Sequence, residues 1–179
     1  MGVGKTTIGQ ILGKTLHLTF KDSDHEIEER SGAPISLIFE LEGEAGFRKR
    51  EKAMLAELTA LNNIVLSTGG GAILDSDNRA HLKNRGFVVY LQASIDELLK
   101  RTAHSRHRPL LQTENPRERL ENLMKIRHPL YQEVADVTVR TGQRTVHQVV
   151  KTILKQLNED RNMIGKPILH SQPADSSDP

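Results

Sequence analysis

The sequence predicts an α/β fold in which helices flank a parallel sheet. Short runs rich in β-branched residues alternate with longer segments of helical spacing, the pattern of parallel strands joined by crossover helices. A glycine-rich segment opens the first of these helices, which is typical of phosphate-binding proteins. At 179 residues the chain fits one domain, and the absence of cysteine excludes disulfides, thiolate metal sites and thiol nucleophiles.

Each element follows from a local signal. Helices are predicted where apolar residues recur every three to four positions or where a capping residue precedes a polar segment, and strands where short apolar runs end at a turn. The predicted helices are 4–16, 24–30, a block at 35–61 broken near Gly43 and Gly46, 76–85, a segment capped by Ser94 that runs to 100, a segment starting at 115–116, and 146–157. The predicted strands are 17–21, 64–67, 87–91 and 136–140.

The sequence predicts one domain at 1–158 with two accessory segments. The break-containing block suggests a helical insert at 31–61, and the polar, basic stretch at 104–115 has the composition of a mobile lid. The tail at 159–179 is polar and proline-containing, so we expect it to be disordered.

The composition also limits the partners. The net charge is only +2 and aromatic residues make up 3%, which argues against a nucleic-acid-binding surface. No apolar run approaches membrane-spanning length, and no signal peptide is predicted. We therefore expect a cytoplasmic protein, monomeric and without nucleic-acid or membrane partners.

The first chemical motif is GVGKTT at 2–7, the second half of the phosphate-loop pattern G-x-x-x-x-G-K-[ST]. Backbone N–H groups of Gly2, Val3 and Gly4 are expected to surround the phosphates of ATP together with the helix N-terminus. Lys5 would reach the β- and γ-phosphates, and Thr6 would ligate Mg²⁺ beside Thr7. The motif's first glycine and its strand would precede Met1, so we expect a longer natural form to carry them.

Other candidate residues are ambiguous on their own. Asp22 and Asp24 follow a predicted strand, where an Asp-x-Asp segment is also a common helix cap. Arg48 is compatible with a surface ion pair. Arg108 lies in a basic loop, and charged loops are usually just solvated. Arg127 continues the apolar stripe of its helix at position i+7 from Leu120, so its charge needs a partner.

Six segments together resemble the shikimate kinase family in order and approximate spacing. They are GVGKTTIG at 2–9, DSD at 22–24, GEAGFR at 43–48, STGGG at 67–71, RPLL at 108–111 and RHPLY at 127–131. The resemblance covers residues 1 to about 157. It implies a three-layer P-loop kinase fold with strand order 2-3-1-4-5, in which strand 1 is missing here, and transfer of the γ-phosphate of ATP to shikimate with Mg²⁺ in the pathway to aromatic amino acids.

The resemblance also implies a role for each candidate. Lys5, Asp24 and Arg108 would be catalytic, with Asp24 as the base and Arg108 as the lid arginine at the transferring phosphoryl group. Shikimate would be bound by Asp24, Arg48, Arg127 and the glycines Gly69, Gly70 and Gly71, with the two arginines on its carboxylate. Asp22 would help Thr6 to hold Mg²⁺, and Arg101 and Arg144 would line the adenine pocket.

Two other interpretations remain open. Another small-molecule P-loop kinase, such as a gluconate kinase, would share the phosphate loop but would not need a pair of carboxylate-binding arginines beside a glycine triplet. An inactive shikimate-binding remnant would follow if the shortened phosphate loop no longer supports transfer.

Overall fold

The structure is a computed structural model that describes residues 2–102 and 115–164. Its helices are α1 Lys5–Leu16, α2 Ser23–Ser31, α3 Ile35–Leu58, α4 Ser76–Arg85, α5 Ile95–Thr102, α6 Pro116–Val134 and α7 Val146–Ile164, and Ala72–Leu74 forms a 3₁₀ turn. Its strands are β1 Thr19–Asp22, β2 Ile64–Ser67, β3 Val89–Gln92 and β4 Val137–Arg140. The predicted strands are all present, with boundaries displaced by no more than two residues where they differ.

The strands form two parallel pairs. In one pair Thr19 lies opposite Ile64 and Asp22 opposite Ser67; in the other, β3 and β4 pair from Val89 to Gln92. Because both strands of each pair run in the same direction, the first pair brings Asp22 and the segment after Ser67 to one edge, where open α/β sheets bind ligands.

The two pairs flank an apolar space. A cavity of about 500 Å³ lies between them, lined by side chains of both β2 and β3 and by Ile8 and Leu12 of α1. None of the described residues forms a strand between the pairs. In the order 2-3-1-4-5, β1 and β2 take the places of strands 2 and 3, and β3 and β4 those of strands 4 and 5.

Helix α1 joins the two halves of the core. It packs on β1, β2 and α7, so that Ile8 and Leu12 are buried with Val139 of β4 and Val149 and Ile153 of α7. A second apolar cluster lies between α2 and α3, where Ile27 of α2 packs with residues of α3. The phosphate-loop end of α1 is thereby fixed against both sheet pairs.

Helix α3 is interrupted at a single residue. Gly43 has φ 68° and ψ −176°, which confirms the predicted break there. Gly46 does not break the helix, contrary to the prediction. The bend at Gly43 instead brings Glu42 against Gly46, where a Cβ would collide with the Glu42 side chain.

The last helix is longer than predicted. Helix α7 continues to Ile164, so residues 159–164, assigned to the disordered tail, are helical. Glu159 stabilises this extension by pairing with Lys155 one turn earlier and by accepting a hydrogen bond of 2.7 Å from Gln156. Residues 165–179 and nearly all of the predicted lid at 104–115 lie outside the described residues.

Within residues 2–102 and 115–164, no helix has the length and apolar character needed to cross a membrane.

Candidate active site

The phosphate loop leads into α1 through a left-handed glycine. Gly4 has φ 86° and caps the helix, its carbonyl accepting the Ile8 N–H, so Lys5 is the first helical residue. Thr6 lies one residue further, where its hydroxyl donates a 3.2 Å hydrogen bond to Asp22 Oδ2. The structure thus brings together the two residues that the sequence predicts at Mg²⁺, and both present the oxygen ligands that Mg²⁺ prefers.

Asp22 also has the local role considered for it. Its Oδ1 accepts the Asp24 N–H at 3.1 Å and caps α2. The cap fixes the first turn of α2, and Asp24 therefore has a defined direction relative to the strand edge.

Asp24 is a half-buried carboxylate between the phosphate loop and the glycine triplet. Its Oδ1 is buried and has no hydrogen-bond partner among the described residues. Burial and the neighbouring charge of Asp22 raise the pKa of Asp24, and the charge of Lys5 opposes this increase. A buried carboxylate oxygen without a hydrogen-bond partner is suited to accept a proton or a hydroxyl hydrogen bond from a ligand.

The glycine triplet makes room for the side chains around it. A Cβ on Gly69 would lie 2.7 Å from Glu51 Oε1 and 2.8 Å from Asp24 Oδ1, and one on Gly71 would overlap the guanidinium of Arg48. These close approaches explain the absence of side chains at both positions. The predicted substrate residues Asp24 and Arg48 therefore meet at the loop after β2.

A buried glutamate orients Arg48. Glu51, one helical turn after Arg48, is 1% exposed and accepts a hydrogen bond from Arg48 Nη1. Burial raises the pKa of Glu51, although the charge of Arg48 acts in the opposite direction. Glu44 also accepts a hydrogen bond of 3.1 Å from Arg48 Nη2. Both carboxylate partners of Arg48 therefore belong to its own helix rather than to a distant surface segment.

Arg127 enters the same region from α6. It is 8% exposed and shares the buried side of this helix with Leu120 and Val134, as its place in the apolar stripe predicts. A Cβ on Gly70 would lie 3.7 Å from Arg127 Nη1 and 3.3 Å from the Tyr131 hydroxyl. Two arginines from different helices, Arg48 and Arg127, therefore border the glycine triplet, an arrangement suited to a carboxylate.

Hydrogen bonds fix the triplet on both sides. The Gly69 N–H donates to Ser23 Oγ at 3.2 Å, and the Tyr131 hydroxyl donates to the Gly70 carbonyl at 2.6 Å. Asn78 supports the following turn through the Ala72 carbonyl. The loop is therefore held by side chains of α2, α4 and α6.

Comparison with known proteins identifies the family. The shikimate kinase family model matches residues 1–158. The chain is 58% identical over 153 residues to the shikimate kinase of Thioalkalivibrio sulfidiphilus, covering 86% of this chain and 80% of that protein. It is 53% identical over 154 residues to that of Methylococcus capsulatus, covering 86% of both. The chain belongs to the shikimate kinase family.

Solved structures of shikimate kinases have the same fold. The enzyme from Acinetobacter baumannii in complex with shikimate superimposes with a TM-score of 0.87 at 50% identity, covering 90% of each chain. That from Aquifex aeolicus gives a TM-score of 0.78 at 35% identity, covering 93% of this chain and 95% of the other. These matches confirm the predicted α/β kinase fold. Of the two kinase interpretations considered, they select shikimate kinase over gluconate kinase.

Arg101 lies beside the phosphate loop of this shikimate kinase family member. Its guanidinium donates to the Gly142 carbonyl at 3.0 Å, to the Thr141 hydroxyl at 3.2 Å and to the Gly2 carbonyl at 3.4 Å. Arg144 lies two residues after Gly142, but it is exposed and lines a shallow groove with residues of α7. The place of both at adenine stays a prediction, and Arg108 lies outside the described residues.

Three residues of the site were not predicted. Glu51 lies on the buried stripe of α3 with Phe47, Met54 and Leu55, so the signal that singled out Arg127, a charge on an apolar stripe, was available for it too. Tyr131 is one turn after Arg127. Ser23 had no distinguishing signal, because its partner is a backbone group 46 residues away.

Proposed function

We propose that this chain transfers the γ-phosphoryl group of ATP to a hydroxyl group of shikimate, with Mg²⁺. The observation that carries the proposal is the convergence of Asp24, Arg48 and Arg127 on the glycine triplet beside the phosphate loop. A hydroxylated carboxylic acid matches this set, since the arginines are suited to its carboxylate and the aspartate to its hydroxyl groups.

The phosphate end rests on the loop at 2–7. The N-terminus of α1 and the Lys5 ammonium group would bind and orient the phosphates, and their positive charge would stabilise the charge that develops during transfer. Thr6 and Asp22 would hold Mg²⁺, directly or through water. When bound, this ion neutralises phosphate charge.

Two arginines and one carboxylate would bind shikimate. Arg48, oriented by Glu51, and Arg127 would clamp the carboxylate of shikimate, which fixes the ring relative to the phosphate loop. The Gly70 backbone would contact the ring, because glycine has no side chain of its own to prevent a close approach. Asp24 would accept the proton of the attacking hydroxyl, and the charge interaction of Asp24 with Lys5 supports a step close to the phosphates.

The test is a coupled ADP-release assay with shikimate and, in parallel, gluconate. We expect turnover with shikimate and none above background with gluconate. Lys5→Ala should abolish turnover while leaving shikimate binding by calorimetry intact. Lys14→Ala, an exposed lysine in the last turn of the same helix, is the matched control and should retain activity.

Two results would change the proposal. Shikimate binding without turnover in the unaltered chain would support the interpretation as an inactive shikimate-binding remnant. Turnover with gluconate alone would contradict the proposal that shikimate is the substrate. A monomeric state and a cytoplasmic location stay predictions of the sequence, the first testable by light scattering.

A further inference from the structure

The hydroxyl group of Tyr131 connects two parts of the candidate site. It donates to the Gly70 carbonyl at 2.6 Å, and the guanidinium of Arg127, one helical turn earlier, lies beside the same glycine, where its charge acts on this hydroxyl group. The Tyr131 hydroxyl group and Arg127 Nη1 therefore meet at Gly70, 3.3 Å and 3.7 Å from the position that a Cβ would occupy there. A single hydroxyl group spans the carboxylate-binding arginine and the glycine triplet.

The surroundings of Tyr131 favour this donor role. Burial raises the pKa of the Tyr131 phenol, although Arg127 acts in the opposite direction, so the group stays protonated at neutral pH. Its ring stacks on Tyr90 of β3 with centroids 4.8 Å apart. The ring is therefore held independently of the hydroxyl group, and removing the oxygen need not displace the side chain.

The carbonyl of Gly70 and the N–H of Gly69 are held from opposite sides. Ser23, at the start of α2, accepts from Gly69, whereas Tyr131 reaches Gly70 from α6. The triplet thereby sets the distance between Asp24, which follows Ser23, and Arg127. Loss of the bond on the α6 side would free both the loop and the guanidinium.

We propose that Tyr131 is a positioning residue that fixes Arg127 and the glycine triplet relative to each other for shikimate binding. This inference rests on the proposed function. We expect Tyr131 to affect the binding of shikimate, because the tyrosine contacts groups assigned to shikimate.

The test compares Tyr131→Phe with Tyr90→Phe. Both variants keep the stacked rings and lose one hydroxyl group, but the Tyr90 hydroxyl is bonded to His128 at 3.1 Å and not to the triplet. We expect Tyr131→Phe to raise the KM and Kd for shikimate about 3- to 10-fold, the effect of one buried hydrogen bond, with the KM for ATP changed less than about twofold. Tyr90→Phe should leave both KM values within about twofold of the unaltered chain.

A measurement without substrate separates positioning from stability. In hydrogen exchange of the ligand-free chains, the amides of residues 69–74 should exchange faster in Tyr131→Phe, and those of β4 should not. An unchanged KM and Kd for shikimate, or equal increases for both substrates with faster exchange throughout, would overturn the positioning role while leaving the proposed function standing. If the unaltered chain neither binds nor phosphorylates shikimate, both proposals fall.

Discussion

Gly71→Ala should disable the candidate substrate site without directly touching the phosphate loop. The backbone at Gly71, with φ −92° and ψ −14°, suits alanine, so any cost comes from space alone. The new Cβ would lie 2.5 Å from Cζ of Arg48. The guanidinium must then move by roughly 1 Å or more to reach an ordinary contact distance, and its bond to Glu51 is lost or weakened.

The magnitude follows from what that movement leaves behind. Glu51 is 1% exposed, and separating a buried pair costs about 3–5 kcal/mol when one partner is removed. Arg48 is 25% exposed and only displaced, so we expect a smaller loss of about 1–3 kcal/mol, or roughly 2–12 °C in Tm. Losing a charged hydrogen bond of about 1.5–3 kcal/mol to shikimate would raise its KM roughly 10- to 100-fold.

The assay combines steady-state kinetics with thermal melting. Gly86→Ala is the matched control, because its nearest atom is 4.0 Å from the new Cβ and its φ of −158° suits any residue. In an Arg48→Ala background the collision no longer exists, so adding Gly71→Ala should change stability little further. Additive losses in the double variant, or an unchanged KM for shikimate in Gly71→Ala, would refute the explanation.

Three further changes probe charge and backbone. Asp24→Asn should abolish turnover and raise Tm at neutral pH, because the raised pKa of Asp24 means that its ionised form destabilises the folded chain. This gain in Tm should shrink as the pH falls toward the ordinary aspartate pKa of 3.8, since the carboxyl group is then increasingly protonated in the folded and unfolded chains alike. In the unaltered chain, kcat should fall at acidic pH as Asp24 becomes protonated, beginning above that ordinary value; a pH-independent kcat would contradict the base role. Arg127→Lys should raise the KM for shikimate about tenfold or more and spare that for ATP, since lysine lacks the bidentate fork. Gly43→Ala should cost about 1–3 kcal/mol in urea unfolding despite open space around it, because φ is 68° there.

The secondary structure could be predicted from the sequence because local signals dominated it. The strand at 64–67 and the helix at 76–85 lie where predicted. A short apolar run defines the strand, and the Asp75 side chain caps the helix by accepting from the N–H groups of Asp77 and Asn78. The end of α7 was misplaced because its last turns are polar and are stabilised by pairs such as Lys155 with Glu159 rather than by an apolar stripe.

The site was predictable where a charge interrupted an apolar pattern or a motif was long enough to identify. Arg127 met the first condition, and the phosphate loop met the second. The bonds that fix the triplet could not be predicted, because Tyr131 and Gly70 are 61 residues apart in sequence and meet only once α6 packs beside the loop. Likewise, Arg48 gave no sign that its guanidinium would fill the space beside Gly71.

Mass spectrometry of the reaction product tests the central claim most directly. After incubation of the unaltered chain with ATP, Mg²⁺ and shikimate, we predict a phosphorylated shikimate formed in equal amount with ADP, and none from Asp24→Asn. ADP release without phosphorylated shikimate would mean that the phosphate loop hydrolyses ATP without serving the site around the glycine triplet, and it would contradict the account.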